Sequence, residues 1–389
     1  MAHTYRLIET TEETEAFVES SLHVERYAID TEFHRERTYF PRVALIQINN
    51  GTETVLIDPL SADLSALAPL FSSPAVAVLH AAGQDLEVFE HWVGAVPGTI
   101  FDTQLAAGFC GLSTASLAAL HDRLLHLSLP KGSRLTDWLA RPLTDDQLDY
   151  AASDVFHLLE IQDHIVTDLT QRGRLQWALD ECTILLESER GRRDPEQAWR
   201  RIKAVRQLKG QALGAARLIA AWREDRAAEL DQPVRFILSD LAIVGIAQRK
   251  PKTIEQLRSV RGVDERLARG ELGELLLELV RQGADLPSPT RSGQQRRDPR
   301  PDLRPAVALV AAWTAQLANR YELDPALLAT RADIEALVRG DADARLADGW
   351  RADIAGAPIR ALMSGDAAIA FDSSGELVLE NRSHTPVGP

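Results

Sequence analysis

Three acidic clusters in the first 155 residues are of types and spacing that could do chemistry together. Asp30-Thr31-Glu32 closes the apolar run Tyr27-Ala28-Ile29, Asp85 follows Leu79-His80-Ala81-Ala82-Gly83-Gln84, and Tyr150-Ala151-Ala152-Ser153-Asp154 opens a helical pattern. Four carboxylates and one phenol brought from separate elements to one point would hold two divalent cations, an arrangement that lets water attack a phosphodiester. Each cluster also has a plainer account. Asp30 and Glu32, two apart on a predicted strand, share one face. Burying a carboxylate is costly, so either that face meets solvent or a cation neutralises the pair. Tyr150 and Asp154 stand one helical turn apart, which an exposed polar face would also show. An acid at Asp85, in a first helical turn, also complements the helix dipole. The argument rests on the joint order and spacing of the clusters.

Positioning such groups needs strands and helices in alternation, and the first 175 residues supply the pattern. Strands are predicted over 27–33, 43–49, 54–58 and 75–80. The second and third are joined through Asn50-Gly51, two residues that tolerate positive φ and mark a hairpin. Leu86, Val88, Phe89, Trp92 and Val93 then recur at helical spacing. The expectation is an α/β domain over 1–175, a mixed sheet covered by helices. From there the chain reads as all-helical. A basic connector over 176–202 leads to a periodic helical block over 203–284. A Pro-, Gly- and Arg-rich linker over 285–302 cannot bury a core, and a second helical block follows over 303–375. Residues 376–389 read as a disordered tail.

Bulk properties bound the reading further. A chain of 389 residues exceeds what one hydrophobic core usually supports. Its 45% hydrophobic and 26% charged residues are those of a soluble globular protein. No run approaches the ~18 apolar residues of a membrane span, so no membrane partner is expected. Met1-Ala2-His3-Thr4 opens no signal-peptide pattern. Cys110 and Cys182 lie in no CxxC or Cys/His spacing, so free thiols in a reducing cytoplasm are expected. The net charge of -14 argues against a polyanion partner, yet eight basic residues against two acids between Arg190 and Gly210 make a local +6. That stretch could steer a phosphate backbone, or it could be a solvated connector.

The acids in order, Asp30-Thr31-Glu32, Asp85 and Tyr150-x-x-x-Asp154, resemble the three exonuclease motifs of the DEDD superfamily in its tyrosine subclass. The resemblance extends to Arg37-Thr38-Tyr39-Phe40-Pro41, Ile57-Asp58-Pro59-Leu60, Phe101-Asp102-Thr103-Gln104 and Thr136-Asp137-Trp138-Leu139-Ala140-Arg141-Pro142-Leu143, which are similar to ribonuclease D sequences. Trp222-Arg223-Glu224, Phe236-Ile237-Leu238-Ser239-Asp240 and Lys250-Pro251-Lys252-Thr253 resemble the HRDC module, and the second helical block resembles a more diverged copy.

That resemblance implies a ribonuclease H-like exonuclease domain followed by two all-α HRDC-like domains. The activity implied is hydrolysis from RNA 3′ ends, transfer RNA precursors among them, releasing nucleoside 5′-monophosphates. Asp30, Glu32, Asp85 and Asp154 would hold two divalent cations, Mg²⁺ or Mn²⁺, whose hardness suits oxygen ligands. Tyr150 would orient the attacking water; its ordinary pKa near 10 makes it a poor base. Phe33 is equally a core residue or a stacking surface for a terminal base. His80, Arg200, Arg201, Lys203 and Lys250 complete the candidate substrate contacts. No obligate protein partner is evident. The rival readings are a DNA 3′-5′ exonuclease and a non-catalytic RNA-binding adaptor, and the intact acid set speaks against the adaptor.

Overall fold

The structure, a computed structural model, describes residues 4–128, 136–191, 194–286 and 302–382. Most of the expected linker, Arg192, Arg193 and the last seven residues lie outside the described residues. At the centre is a six-stranded sheet of β1 (Arg6–Ile8), β2 (Arg26–His34), β3 (Arg42–Asn49), β4 (Thr54–Ile57), β5 (Val76–Leu79) and β6 (Ile100–Asp102), ordered β1-β4-β3-β2-β5-β6. The β2/β3 and β3/β4 pairs are antiparallel; β2/β5, β5/β6 and β1/β4 are parallel. The β3–β4 hairpin forms at Asn50-Gly51, where Gly51 takes φ +88 and the Asn50 Oδ1 accepts from the N–H groups of Thr52 and Glu53. Strands β1 and β6 are three residues each, too short to show a period in the sequence.

Alternation along β2 sends Tyr27 and Ile29 to one face, where they pack with Phe17, Ile46, Leu86 and Phe89. Ala28 goes to the other face, with Val155, Leu158 and Ile161. The second face lies under the helices Asp145–Phe156 and Leu158–Gln171. Both cysteines are free. No helix among the described residues is long and apolar enough to cross a membrane.

Beyond the sheet domain, helices Gly210–Glu229, Asp240–Arg249 and Gly270–Gly283 enclose a separate core of Ile219, Ile243, Ile246, Leu257 and Leu276. Two of these helices cross in direct backbone contact: a Cβ on Gly214 would fall 1.9 Å from the Gly283 carbonyl oxygen. The second block, with helices Arg304–Arg320, Arg331–Arg339 and Ala357–Ser364, is not all-α. It ends in an antiparallel hairpin of β7 (Ala367–Phe371) and β8 (Leu377–Asn381), so order continues past 376, where a tail was expected. The Asp372 Oδ1 accepts from Ser374 and Glu376 N–H groups to close that turn. The Gln316 amide, on the preceding helix, holds both the N–H and the carbonyl of Leu377. That long-range anchor leaves no local sequence signal.

Candidate active site

Alternation on β2 puts Ala28, Asp30 and Glu32 on the face that helix Asp145–Phe156 covers. Register sets Asp30 opposite Gln47 and Glu32 opposite Leu45. A bulge between Glu32 and Phe33 then gives the β3 strand one extra residue, Ala44. The helix is started by a capping box, Thr144 with Gln147. It lies close because Ala151 and Ala152 face Leu45 and Leu56, and the Asn49 amide donates to the Phe156 carbonyl at 3.1 Å. Tyr150 and Asp154 flank that packed stripe, half-buried, so the helix carries them to the side of the sheet that bears Asp30 and Glu32.

Asp85 arrives from the end of β5, in the first turn of helix Gly83–Trp92. It is 6% exposed, and the Thr31 hydroxyl donates to its Oδ1 at 2.5 Å. Asp102 latches the turn before it: its carboxylate accepts from the N–H groups of Ala81 (3.1 Å), Ala82 (2.8 Å), Gln104 (2.9 Å) and Leu105 (3.1 Å). Burial pushes the Asp30 carboxyl up to about 7 against the opposing Thr31 N–H. Burial first, and the charge of Asp30 second, push Asp85 well above the usual carboxylate range. Neither acid makes an ion pair among the described residues. Beneath the same helix Gln47 is fully buried, and neither of its amide atoms has a hydrogen-bond partner among the described residues. Two buried acids without a cationic neighbour, beside an unanswered amide, form a donor set that fits a hard cation. Among the described residues no three His, Cys, Asp or Glu side chains stand close enough together to complete a cage for one ion.

The 136–143 segment walls the site. The Arg141 guanidinium binds both Asp58 carboxylate oxygens (2.5 and 2.7 Å) and the carbonyls of Ala44, Trp138 and Ala140. This clamp sets the Trp138 ring 6.0 Å from that of Tyr150. Between the segment and β2 opens a cleft of about 670 Å³, which runs from Glu32 and Phe33 to Arg37 and Arg42. Phe33 lines this cleft and also packs on the core. Arg35 is spent on a two-point pair with Glu87 (2.6 and 2.7 Å). Arg37 and Arg42 are exposed, with no ion pair among the described residues.

The remaining candidates lie elsewhere. His80 Nδ1 sits 2.9 Å from the Thr103 hydroxyl, and burial pushes its pKa down to about 4, leaving a neutral ring on the β5–β6 side. Arg200 stacks on Trp199 (5.5 Å), and Arg201 pairs with Glu224 (3.3 Å). Lys203 is exposed, and Lys250 ends a helix in the left-handed region, its Nζ 3.4 Å from the Gln211 Oε1. None of these lines the cleft at Glu32. Gln47, Asp102 and Arg141 were missed as site builders. The only available signal was a polar residue inside an apolar strand for Gln47, and membership of the quoted motifs for the other two.

A family model described as 3′-5′ exonuclease matches residues 5–170, and an HRDC domain model matches residues 212–280. The chain is similar to ribonuclease D of Gluconacetobacter diazotrophicus, at 35% identity over 95% of both chains. Ribonuclease D of Jannaschia sp. is 36% identical over 95% of this chain and 97% of its own. Among solved structures, Escherichia coli RNase D, described as an exoribonuclease involved in structured RNA processing, superimposes with a TM-score of 0.84 at 31% identity, over 93% of this chain and 99% of that one. Matched in sequence and fold over nearly its whole length, the chain belongs to the ribonuclease D family of 3′-5′ exoribonucleases.

Proposed function

We propose that Asp30, Glu32, Asp85 and Asp154 hold two divalent cations, Mg²⁺ or Mn²⁺, at which RNA 3′ ends are hydrolysed. When bound, such ions acidify water and neutralise the phosphate charge that builds in an in-line displacement. Asp30 lies between Glu32 on its own strand and Asp85 across Thr31, and would be the carboxylate shared by the cations. Thr31 fixes the rotamer of Asp85 by its hydroxyl. Tyr150 orients the attacking water by its own hydroxyl, with Trp138 packed against its ring. Phe33 presents an apolar surface to the terminal base. Releasing one nucleoside 5′-monophosphate per cut requires that the P–O3′ bond break, so the water would attack phosphorus opposite the 3′ oxygen, which leaves on the shortened strand.

The observation that carries this reading is the buried Asp30–Asp85 pair, which has no cationic side chain among the described residues and faces the unpartnered Gln47 amide. Asp30→Ala abolishes release of mononucleotides from a 3′-labelled RNA and weakens Mn²⁺ binding measured by calorimetry, while the 210–283 module stays folded. Full turnover in that variant ends the assignment. Tyr150→Phe lowers the rate by less than loss of a ligand does, and leaves Mn²⁺ affinity unchanged.

Further parts of the proposal rest on the resemblance. Transfer RNA precursors and other small structured RNAs are the substrates, and the cytoplasm is the compartment. The exonuclease domain spans 1–175, the HRDC domain 203–284, and 303–375 is a second, diverged HRDC-like domain. The helical composition of that block supports its assignment, its terminal hairpin being an addition.

A further inference from the structure

Three surface clefts join end to end between the acids and the first helical module. The cleft at Glu32 shares Arg35, Glu36 and Thr38 with a second of about 660 Å³. The second shares Arg235 with a third, of about 1000 Å³, on the 210–283 module. Arg235 is the joint, since its guanidinium also donates to the Glu36 carbonyl at 3.2 Å. Beside this joint Phe236 is 59% exposed, with the Arg235 guanidinium 5.2 Å from its ring centroid. A phenylalanine so placed contributes little to the module's core and offers a flat face, with a cation beside it, to solvent.

Charge along this path is close to balance, in a chain of net -14. Glu87 is neutralised by Arg35 and Glu229 by Arg226. The Asp264 carboxylate accepts from the Leu267 N–H, and that of Asp137 from the Leu139 N–H. Glu36, Asp137, Asp264 and Glu271 keep their charge, and Glu32 belongs to the acid site. Against them stand Arg37, Arg42, Arg235 and Arg266, none with an ion pair among the described residues. Arginines without ion pairs beside an exposed aromatic face are the combination by which single strands are held without regard to sequence.

We infer that single-stranded RNA lies along this track, its 3′ end at Glu32 and an upstream base stacked on Phe236. Arg37 and Arg42 meet the phosphates nearest the cut, and Arg235 meets those at the joint. The inference rests on the exoribonuclease reading and adds a substrate path that bypasses the connector residues Arg200, Arg201 and Lys203.

The test is a length series of single-stranded RNAs sharing one 3′ sequence, from a dinucleotide upward, with Phe236→Ala and Phe236→Leu. Above the length that reaches Phe236, both variants raise KM about 5- to 100-fold. The dinucleotide is cut with unchanged kcat and KM. Phe236→Tyr restores long-RNA affinity. Arg37→Gln with Arg42→Gln raises KM at every length beyond the dinucleotide and flattens the salt dependence of binding. An effect of Phe236→Leu that is equal at all lengths, or absent from the longest RNA, overturns the track. Failure of the acid site shows differently, as an active Asp30→Ala protein whose length dependence is intact.

Discussion

The two helical blocks meet the catalytic domain in opposite ways. The 210–283 module keeps its apolar residues in a core of its own. It touches the exonuclease through polar groups: the Tyr39 hydroxyl donates to Glu224 (2.8 Å), Asp231 accepts from the N–H groups of Tyr39 and Phe40, and Arg235 reaches the Glu36 carbonyl. The block from Arg304 onward has no such independence. Val307, Val310, Trp313 and Leu346 fall in the same apolar cluster as Phe109, Val155 and Leu158, which back the helix that carries Asp154. Trp350 stacks on Trp177 at 5.0 Å and abuts Phe109 at 5.3 Å. A polar contact can open and close at little cost, whereas a shared core cannot part without exposing apolar surface. One block is therefore joined so that it can part from the catalytic domain, the other so that it holds that domain together.

The largest effect expected from this contrast is at Trp350. Trp350→Ala removes the ring that joins the two halves of the shared core and costs about 3–5 kcal/mol. It lowers the melting temperature of the exonuclease signal and the C-terminal signal together. Separate transitions would break the claim of one core. A smaller effect is written in the buried ion pair beside it. Glu181 is 5% exposed, and although burial pushes its carboxyl up, hydrogen bonds from Arg351 and then Arg345 hold it below the ordinary glutamate range. A depressed carboxyl stabilises the fold at pH values above its unfolded pKa, near ~4.3, and that contribution fades as pH falls through the lower folded value. Melting curves of the native chain should drop in this acid window. Glu181→Gln is already destabilised at pH 7 and loses less on acidification. Parallel pH curves for the two proteins would remove Glu181 from the junction.

Legibility followed the reach of the interactions. The strands over 26–34 and 42–49 and the helices bearing Asp85 and Asp154 were readable, because apolar periodicity and capping residues act within a few positions. The pairing of Asp30 with Asp85 was legible only as a family pattern, since the Thr31 bond that joins them crosses 54 positions. Asp102 and Arg141 escaped for the same reason, since they reach across 20 positions or more, and Gln47 because its amide has no partner among the described residues. The fusion of the second helical block was invisible too. Its helices are amphipathic whether they face one another or a foreign sheet domain, and the pattern alone cannot say which.

The smallest effect sharpens the comparison most, because it should be confined to one side. Asp231 sits at φ +47, a left-handed conformation that a Cβ disfavours, and it spends its carboxylate on two N–H groups of the 39–40 loop, both at 3.0 Å. Asp231→Gly removes the cap without backbone strain and costs about 1 kcal/mol of docking. Hydrogen exchange at Tyr39 and Phe40 should rise while exchange inside helices Gly210–Glu229 and Gly270–Gly283 stays unchanged, since their core is self-contained. Asp231→Asn retains an acceptor and tolerates the conformation, so it should behave like the native protein. A fall in overall melting temperature as large as that of Trp350→Ala would show that the first module is as firmly fused as the second. The distinction between a block that can part and a block that holds would then be lost.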